Sequence, residues 1–358
     1  MLHAIIMAGG SGTRFWPASR IETPKQLLQL VGKSSMIRQT ADRLGDAFPI
    51  DQRMIVTNTR LVEAVSRQFP ELPPTAIVGE PCKRDTAPCI GLAALLISRN
   101  DPAATMVVMP ADHIIEPADS FQRAIGEAAD LVDAKPSRIV TFGIRPTYPA
   151  EIFGYIERGK PLDETSAIAF EVEKFREKPA AETAVSYLAS GNFYWNSGIF
   201  VWRASTILEA LRKRQPQILK KLETIVASWG TPQQAEVFER EFSAIEAVSI
   251  DYAVMEHAKD VVVIQAPYDW DDLGGWQSLA RTVGTDNHGN TIVGKHIGLK
   301  TSGSIVHTSQ DHLVVTLGLQ DTIVVHTPDA TLVANKHDEE GIRKVVQELQ
   351  SRGWKEHL

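Results

Sequence analysis

The residues best suited to chemistry in this sequence lie in a glycine-rich loop near its start. Residues 8–14 read Ala-Gly-Gly-Ser-Gly-Thr-Arg and directly follow an apolar run at residues 4–7. Glycines let the backbone approach an anion and turn its N–H groups towards it, and Arg14 and Lys25 would add positive charge. The pattern predicts a phosphate-binding loop; the alternative is a tight turn with surface cations.

The loop does not match two standard phosphate-binding motifs. A Walker A loop requires a Lys after its last glycine, and no Lys stands at that spacing. The dinucleotide fingerprint requires a third glycine where this chain has Phe15. The loop nevertheless follows a predicted buried strand, and open α/β sheets bind ligands at the carboxyl ends of their strands. We therefore predict a nucleotide-phosphate site of another design.

Acidic residues that could hold a metal ion occur in two distant places. Asp112 follows the apolar run at residues 105–109, whereas Asp269, Asp271 and Asp272 lie close together after residues 261–266. Mg²⁺ prefers one or two carboxylates plus substrate phosphates, so Asp112 and one of the later acids could share it. Spacing does not decide among the three later acids, and the alternatives are a turn cap for Asp112 and a solvated loop for the others.

Three further polar segments follow predicted strands or stand between aromatic residues. They lie at residues 80–86, 175–179 and 194–198, the last reading Tyr-Trp-Asn-Ser-Gly. An amide between aromatic side chains is a common arrangement for binding sugar hydroxyls. The alternative for each segment is ordinary loop chemistry.

Alternating elements must position these residues. Strands are predicted at residues 4–7, 53–57, 75–78, 105–109 and 138–142, with helices at 36–47, 60–69, 86–99 and 120–134 between them. Asp85 is a suitable N-cap for the helix at 86–99, and Pro88 would lie in its first turn. This alternation predicts an α/β fold with a parallel sheet. Later strands are predicted at 155–158, 169–175 and 261–266, and later helices near 204–214, 232–242 and 249–258.

The last part of the chain has a different pattern. Residues 286–335 contain short β-like runs rich in Gly, Thr, Val and His, and residues 338–351 have a helical pattern. We predict two domains, at residues 1–285 and 286–358, the second a small all-β domain with a terminal helix.

Composition excludes several classes of protein. The net charge is −7, and the longest basic runs have only two or three residues, so no nucleic-acid partner is expected. Cys82 and Cys89 give no disulfide framework and no metal-binding spacing. The start lacks a basic signal-peptide region, and no apolar run approaches 18 residues, so we expect a cytoplasmic protein without a membrane span.

Seven stretches resemble, in order, the signature of the sugar-1-phosphate nucleotidylyltransferase family. The first reads Met-Ala-Gly-Gly-Ser-Gly-Thr-Arg-Phe-Trp-Pro at residues 7–17 and is followed by Pro-Lys-Gln at 24–26. The others lie at residues 79–88, 109–113, 153–156, 177–179, 195–198 and 270–276. The Phe-Trp-Pro and Pro-Lys-Gln forms are most similar to those of the mannose-1-phosphate guanylyltransferases.

This resemblance implies a GT-A/Rossmann-like nucleotidyltransferase domain with a mostly parallel sheet, then a short left-handed β-helix-like segment. The implied reaction transfers GMP from GTP to α-D-mannose 1-phosphate and gives GDP-mannose and pyrophosphate. The resemblance also implies Mg²⁺ as cofactor and a homodimer. Bifunctional relatives carry an additional cupin-type isomerase domain, which we do not expect in this sequence.

The resemblance also implies a role for individual residues. Those that would line the nucleotide are Met7, Ala8, Gly9, Gly10, Ser11, Gly12, Thr13, Glu80, Arg84, Asp85, Thr86 and Asp112. Those that would hold the sugar phosphate are Gly154, Tyr155, Glu177, Lys178 and Asn196. The catalytic residues would be Arg14, Lys25 and Lys178, and Asp112 and Asp272 would bind Mg²⁺.

This sequence departs from the family pattern at two positions, and three alternatives stay open. Asp85 stands where the family usually has Asn, and Asp271 where it often has Ser or another small residue. The alternatives are another nucleotide or sugar phosphate, a non-catalytic regulator on the same fold, and a dinucleotide-binding dehydrogenase. The regulator is disfavoured because Arg14, Lys25, Asp112 and Asp272 are all present, and the dehydrogenase because Phe15 replaces the third glycine.

Overall fold

The chain divides into two units, each built from segments that are separate in sequence. The computed structural model describes residues 1–10, 12–162 and 168–358. The larger unit contains residues 1–9, 41–110 and 115–270, and the smaller unit contains residues 10–40, 111–114 and 271–358. The smaller unit therefore combines the glycine-rich loop with the C-terminal part of the chain. The sequential division at residue 285 stays a prediction.

Eleven strands occur in the described residues up to 271. They are β1 (Leu2–Ala8), β2 (Arg53–Asn58), β3 (Ile77–Glu80), β4 (Thr105–Pro110), β5 (Ile114–Glu116), β6 (Ile139–Ile144), β7 (Tyr155–Pro161), β8 (Ala169–Arg176), β9 (Phe193–Arg203), β10 (Val261–Gln265) and β11 (Asp269–Asp271).

Nine of these strands form the sheet of the larger unit, in the order β3-β2-β1-β4-β9-β6-β10-β8-β7. Within the part of the chain that the structure describes, β8 and β9 run against the other seven strands. The predicted α/β fold with a mostly parallel sheet is therefore confirmed. Continuous apolar runs explain the central position of β1 and β4, because both faces of these strands are covered.

The eleven helices of the described residues separate and follow these strands. They are α1 (Met36–Asp42), α2 (Val62–Gln68), α3 (Thr86–Ser98), α4 (Ala118–Ala134), α5 (Ala181–Ser190), α6 (Ala204–Arg214), α7 (Pro216–Ala227), α8 (Gln234–Ser243), α9 (Ile250–Ala253), α10 (Ser278–Val283) and α11 (Gly341–Ser351).

Helix α3 is the most buried of the helices near the predicted site. Its N-cap is Asp85, whose carboxylate accepts a hydrogen bond from Thr86 N at 2.9 Å, so the predicted cap is confirmed. A Cβ at Gly91 would lie only 2.7 Å from a Leu222 methyl carbon, so this glycine lets α3 and α7 approach closely. The helix is therefore fixed on several sides.

Several sequence predictions of individual elements were wrong. Strand β9 was missed, because Asn196, Ser197 and Gly198 interrupt its apolar pattern, yet it pairs with β4, β6 and β7. The helix predicted at 36–47 ends at Asp42, and the one predicted at 249–258 is reduced to the short α9. Helices α5 and α7 were not predicted.

The C-terminal strands of the smaller unit are β12 (Thr291–Val293), β13 (Lys295–Leu299), β14 (Ile305–His307), β15 (Leu313–Leu317), β16 (Thr322–Thr327) and β17 (Ala330–Asn335). Parallel pairing joins β12 to β14, β14 to β16 and β13 to β15, so the chain returns to the same sheets in successive coils. Strand β17 closes the stack antiparallel to β16. This is the arrangement predicted as β-helix-like.

The core of the smaller unit joins its N-terminal and C-terminal parts. Phe15 and Trp276 pack edge to face with ring centroids 5.1 Å apart, and Trp276 Nε1 donates to Trp16 O at 3.1 Å. Ile305 and Ile342 belong to the same buried cluster. The Phe-Trp-Pro segment of the sequence signature therefore serves as core material in this unit.

Among the described residues, no helix has the length and apolar character required to cross a membrane.

Candidate active site

A small polar pocket lies within the smaller unit. Its volume is about 220 Å³, and its lining residues are Gly12, Thr13, Arg14, Phe15, Lys25, Asp112, His113, Asp272, Leu273, Gly274 and Arg343. The structure thus brings together four charged residues that the sequence predicted for phosphate and metal binding: Arg14, Lys25, Asp112 and Asp272. Gly10 belongs to the same unit, and its carbonyl accepts a hydrogen bond from Gln26 Nε2 at 3.1 Å. Ser11 lies outside the described residues.

Gly12 permits the loop to close on Lys25. Its φ of +58° lies in the left-handed region, and a Cβ at this position would overlap the Lys25 side chain and lie 2.8 Å from Lys25 N. Any larger residue at position 12 would be strained both by the positive φ and by the overlap with Lys25. The glycine therefore allows the backbone of the loop to approach the cation directly.

Lys25 connects the two acidic residues of the pocket. The side chain is buried, and Nζ donates to Asp112 Oδ2 at 2.8 Å and to Asp272 O at 2.5 Å. Burial acts to raise the pKa of Asp112, but Lys25 and His113 outweigh it and lower that pKa below its usual value. Burial raises the pKa of Asp272 to about 6; Lys25 opposes the shift, whereas Asp271 and Asp112 add to it.

The structure distinguishes the three acids that spacing left open. Asp271 accepts from Arg281 Nε at 2.6 Å and Nη2 at 3.2 Å, so its carboxylate is engaged in an ion pair. Asp269 is exposed and belongs to the larger unit. Asp272 is the one that lines the pocket with Asp112.

These two carboxylates fit a divalent cation that is completed by substrate. Within the described part of the chain, no three His, Cys, Asp or Glu side chains cluster as a metal site. Mg²⁺ requires no such cluster, because it retains water and takes further oxygens from substrate phosphates. Asp112 and Asp272 therefore carry the type of oxygen donor that such an ion takes.

Arg14 is oriented by a backbone carbonyl, and its charge interacts with the Glu339 carboxylate. Its Nη1 donates to the carbonyl of Gly274 at 2.8 Å. A carbonyl acceptor fixes the direction of the guanidinium but leaves its charge, in contrast to the carboxylate that pairs with Lys25. Arg14 is therefore positioned to bind an anion.

Glu80 ends β3 in the larger unit and lies near Gly9, where a Cβ would be 3.9 Å from Glu80 Oε2. Glu80 is 7% exposed, and among the described residues its Oε1 has no hydrogen-bond partner. Burial raises the pKa of Glu80 to about 8, while Cys89 opposes and Asp85 adds to the shift. A buried carboxyl with a free acceptor can receive N–H groups of a ligand.

Arg84, Asp85 and Thr86 have internal partners. Arg84 donates to the carbonyls of Phe242 and Ser243 at the end of α8, and Thr86 Oγ1 accepts from Ile250 N at 2.8 Å. These contacts fasten the start of α3 to the end of α8 and the start of α9. Arg84 therefore has a structural role that the sequence did not indicate.

Gly154, Glu177 and Asn196 lie together in the larger unit. Asn196 N donates to Gly154 O at 2.8 Å, and a Cβ at Gly154 would lie 2.5 Å from Glu177 Oε2. The glycine thus leaves room for the carboxylate beside it. Asn196 lies within β9.

Asp251 is a member of this group that sequence reasoning missed. Its Oδ1 accepts from Asn196 Nδ2 at 3.0 Å, while Asn196 Oδ1 accepts from Gly198 N at 3.1 Å. Burial raises the pKa of Asp251 to about 7, and the charge of Glu177 adds to the shift. The only local signal, Ser249 followed by an acid, is typical of a helix start and did not point to a site.

The other residues predicted for the sugar phosphate differ in exposure. Lys178 is 59% exposed and lies 3.2 Å from Glu177 Oε1, with a positive φ of 43°. Tyr155 is fully buried and packs on Tyr187, and its role in binding the sugar phosphate stays a prediction. In β1, Met7 is partly exposed and Ala8 is buried, with its carbonyl accepting from Thr57 Oγ1.

A cavity of about 610 Å³ elsewhere in the larger unit, near Ala210 and Val254, contains none of the predicted residues.

Comparison with known proteins agrees with this arrangement. The model of the nucleotidyl transferase family matches residues 3–287, and that of the mannose-phosphate isomerase/GMP-like β-helix domain matches residues 294–349. The mannose-1-phosphate guanylyltransferase of Escherichia coli strain K12 is 39% identical over 99% of this chain and 75% of its own length. The chain belongs to the mannose-1-phosphate guanylyltransferase family. The resemblance identified from the sequence motifs is therefore confirmed.

Two further relatives support the assignment. The mannose-1-phosphate guanylyltransferase of Salmonella typhimurium strain LT2 is 40% identical over 99% of this chain and 75% of that protein. A crystal structure described as mannose-1-phosphate geranyltransferase from Thermus thermophilus superposes with a TM-score of 0.86 at 31% identity, covering 98% of this chain and 99% of the other. Nucleotidyltransferases of this family generally use a divalent metal ion.

Proposed function

We propose that this protein transfers GMP from GTP to α-D-mannose 1-phosphate and releases pyrophosphate. The observation that carries the proposal is similarity to mannose-1-phosphate guanylyltransferases over nearly the whole of a chain that retains Arg14, Lys25, Asp112 and Asp272 in one pocket. A regulator without catalytic activity would not require this set of charges.

The attacking group is the phosphate of mannose 1-phosphate. Its second pKa is about 6, as for other phosphomonoesters, so it is mostly dianionic at neutral pH. It forms a bond to the α-phosphorus of GTP while the bond to the β-phosphate oxygen breaks and pyrophosphate leaves. No general base is required, and catalysis depends on positioning and on stabilising negative charge.

The residues of the pocket serve that charge stabilisation. Gly10, Gly12 and Thr13 accommodate the triphosphate, and Arg14 and Lys25 stabilise the leaving pyrophosphate. Asp112 and Asp272 would hold Mg²⁺, which would neutralise phosphate charge. The ion pair between Lys25 and Asp112 supports this assignment, because it holds a phosphate-binding cation next to a proposed metal ligand.

The residues of the larger unit bind the rest of the substrates. Glu80 receives N–H groups of guanine, supported by its unpartnered buried oxygen. Glu177 and Asn196 hold mannose hydroxyls, and Lys178 holds the phosphate of the nucleophile. These roles rest on the family resemblance and on the contacts of Asn196 and Glu177 with Gly154.

We also propose a cytoplasmic homodimer. The dimer is supported by one exposed aliphatic face on the parallel pair β13–β15, formed by Ile297, Leu299, Leu313, Val315 and Leu317. Contiguous apolar surface of this kind marks interaction sites. The cytoplasmic location follows from the proposed substrates.

Pyrophosphate release tests the function. The purified protein is assayed with each of GTP, ATP, UTP and CTP against mannose, glucose and N-acetylglucosamine 1-phosphates, with Mg²⁺. We expect the highest kcat/KM for GTP with mannose 1-phosphate, and loss of that activity in Arg14→Ala. Absence of release with this pair, or a clear preference for another pair, would overturn the proposal.

A further inference from the structure

A third cation lines the phosphate pocket, and it comes from the C-terminal helix. Arg343 in the first turn of α11 is one of the pocket residues, together with Gly12, Arg14 and Lys25. It lies far from the glycine-rich loop in the sequence, and no motif marks it. We infer that Arg343 is a phosphate-binding residue of the proposed active site and contacts the β- and γ-phosphates that leave as pyrophosphate.

The charge balance of the pocket supports this inference. Arg14 and Lys25 are matched in charge by Asp112 and Asp272, so these four side chains together carry no net positive charge. Arg343 is the remaining Lys or Arg among the described lining residues. Arg343 adds a cation to those of Arg14, Lys25 and the proposed Mg²⁺, and such a concentration of positive charge suits a multiply charged anion.

The helix itself gives no reason for an arginine at this position. A cation in the first turn of a helix interacts unfavourably with the helix dipole. Arg343 Nη1 lies 2.7 Å from Oε1 of Glu340, the N-cap residue of α11, and the two side chains are 42% and 66% exposed. Such surface pairs contribute little to stability, so a phosphate can replace Glu340 at low cost.

The adjacent residue fixes where Arg343 lies. Ile342 is 1% exposed and belongs to the buried cluster that contains Phe15 and Trp276. Phe15 follows Arg14 directly, so packing of Ile342 holds the first turn of α11 beside the glycine-rich loop. The planar guanidinium of Arg343 can then bind two phosphate oxygens at once.

The helix provides a matched control. Arg352 follows the end of α11, and its Nε lies 2.7 Å from Glu348 Oε1, a similar exposed pair. It does not line the pocket. Arg343→Gln and Arg352→Gln therefore remove the same charge from the same region, and only the first change removes a cation from the pocket.

This inference rests on the proposed function. Two measurements distinguish failure of the role of Arg343 from failure of the proposed function. The first is steady-state kinetics in both directions for the unmodified protein, Arg343→Gln, Arg343→Lys and Arg352→Gln. Loss of one charge-assisted contact predicts a KM for GTP and for pyrophosphate about tenfold higher in Arg343→Gln. The KM for mannose 1-phosphate should change less than about twofold, since it makes no such contact. Arg343→Lys should be intermediate, and Arg352→Gln should match the unmodified protein.

The second measurement is direct binding of inorganic pyrophosphate in the presence of Mg²⁺, detected by thermal shift and by calorimetry. It requires no turnover, so it reports on Arg343 even if the proposed reaction is wrong. Weaker pyrophosphate binding in Arg343→Gln than in Arg352→Gln supports the inference. Equal binding and equal KM values in these two variants would overturn it, whereas failure of the unmodified protein to release pyrophosphate from GTP would overturn the proposed function alone.

If Arg343→Gln fails to fold, Arg343→Lys is decisive, because binding equal to that of the unmodified protein together with unchanged KM values would overturn the inference.

Discussion

At the scale of single residues, the most informative groups are carboxyls whose ionisation is altered by burial. Glu80 and Asp251 both belong to the larger unit, and burial raises the pKa to about 8 for the first and about 7 for the second. Sequence alone gives neither value, because both depend on which side chains surround the group. Each residue leads to a separate test.

Glu80→Gln should change how stability depends on pH. Above pH ~4.5 the unfolded chain ionises at residue 80, whereas the folded protein retains the proton up to a pKa of about 8. In this pH interval the folded protein therefore binds more protons than the unfolded chain. The free energy of unfolding falls as the pH rises, by at most ~1.4 kcal/mol per pH unit. The variant cannot titrate, so it should gain stability relative to the unmodified protein between pH 5 and 8.

Urea unfolding at several pH values measures this difference. Glu246→Gln, at an exposed glutamate, is the control and should show no such trend. A constant difference between Glu80→Gln and the unmodified protein across the interval would contradict a buried, protonated Glu80.

Asp251→Ala should weaken binding of the sugar phosphate. The carboxylate accepts from Asn196 Nδ2 at 3.0 Å and so orients the amide. Without it, the amide keeps the contact of its oxygen with Gly198 N but loses the one that fixes its NH₂ group, and we expect the KM for mannose 1-phosphate to rise about tenfold with little change in the KM for GTP. Asp251→Asn keeps an acceptor at the same place and should show a smaller effect. The positioning role is wrong if the alanine variant has an unchanged KM for mannose 1-phosphate.

At the scale of elements, the pair β13–β15 has an unusual surface. Ile297 is 50% exposed, Val315 57% and Leu317 69%, and the register places Ile297 opposite Val315. Burying one such side chain contributes about 1.5–3 kcal/mol, so this face would stabilise an assembly if it were covered.

The double variant Val315→Lys, Leu317→Lys should be monomeric if the proposed homodimer forms through this face. Two charges would have to be buried in the interface, which is strongly unfavourable. Light scattering after size-exclusion chromatography, at matched concentrations, measures the mass. Val333→Lys, an exposed aliphatic position on β17, is the control and should stay dimeric. A double variant that remains dimeric would exclude this face as the interface.

At the scale of the whole molecule, the glycine-rich loop depends on the C-terminal part of the chain. Both belong to the smaller unit, and Phe15 and Trp16 are buried with Trp276, Ile305 and Ile342. Trp16 Nε1 also donates to His357 O at 2.8 Å, one residue before the end of the sequence. Residues 286–358 therefore complete the core on which the phosphate loop rests.

A chain ended after residue 285 should lose activity even though it keeps Arg14, Lys25, Asp112 and Asp272. Exposure of Phe15 and Trp16 would release the loop, and small displacements at an active site can lower turnover by about 100-fold or more. Limited proteolysis should then cut within residues 10–40, while circular dichroism should retain the signal of the larger unit's sheet. Full pyrophosphate release by the shortened chain would show that residues 1–285 form a self-sufficient catalytic domain.

The sequence predicted much of this architecture because its strongest signals are local. Strands such as β1 and β4 are continuous apolar runs, and Asp85 caps α3 through a contact with the next residue. Strand β9 was missed because its centre contains Asn196, Ser197 and Gly198, and only pairing on both sides explains why such residues are in a strand. The burial of Tyr155 could not be predicted either, because the sequence does not show which face of β7 is covered.

The sequence by itself determined the family, the fold class and the charged residues of the phosphate loop, since these follow from local patterns and ordered motifs. The family resemblance favoured Asp272 over Asp271, but only the tertiary structure showed that Asp271 is paired with Arg281 and that Asp251 lies beside Asn196. It also brought Arg343 of the last helix to the pocket of the first loop. The physical reason is the same in each case: the environment of a charge depends on neighbours that are distant in sequence, and only packing brings them together.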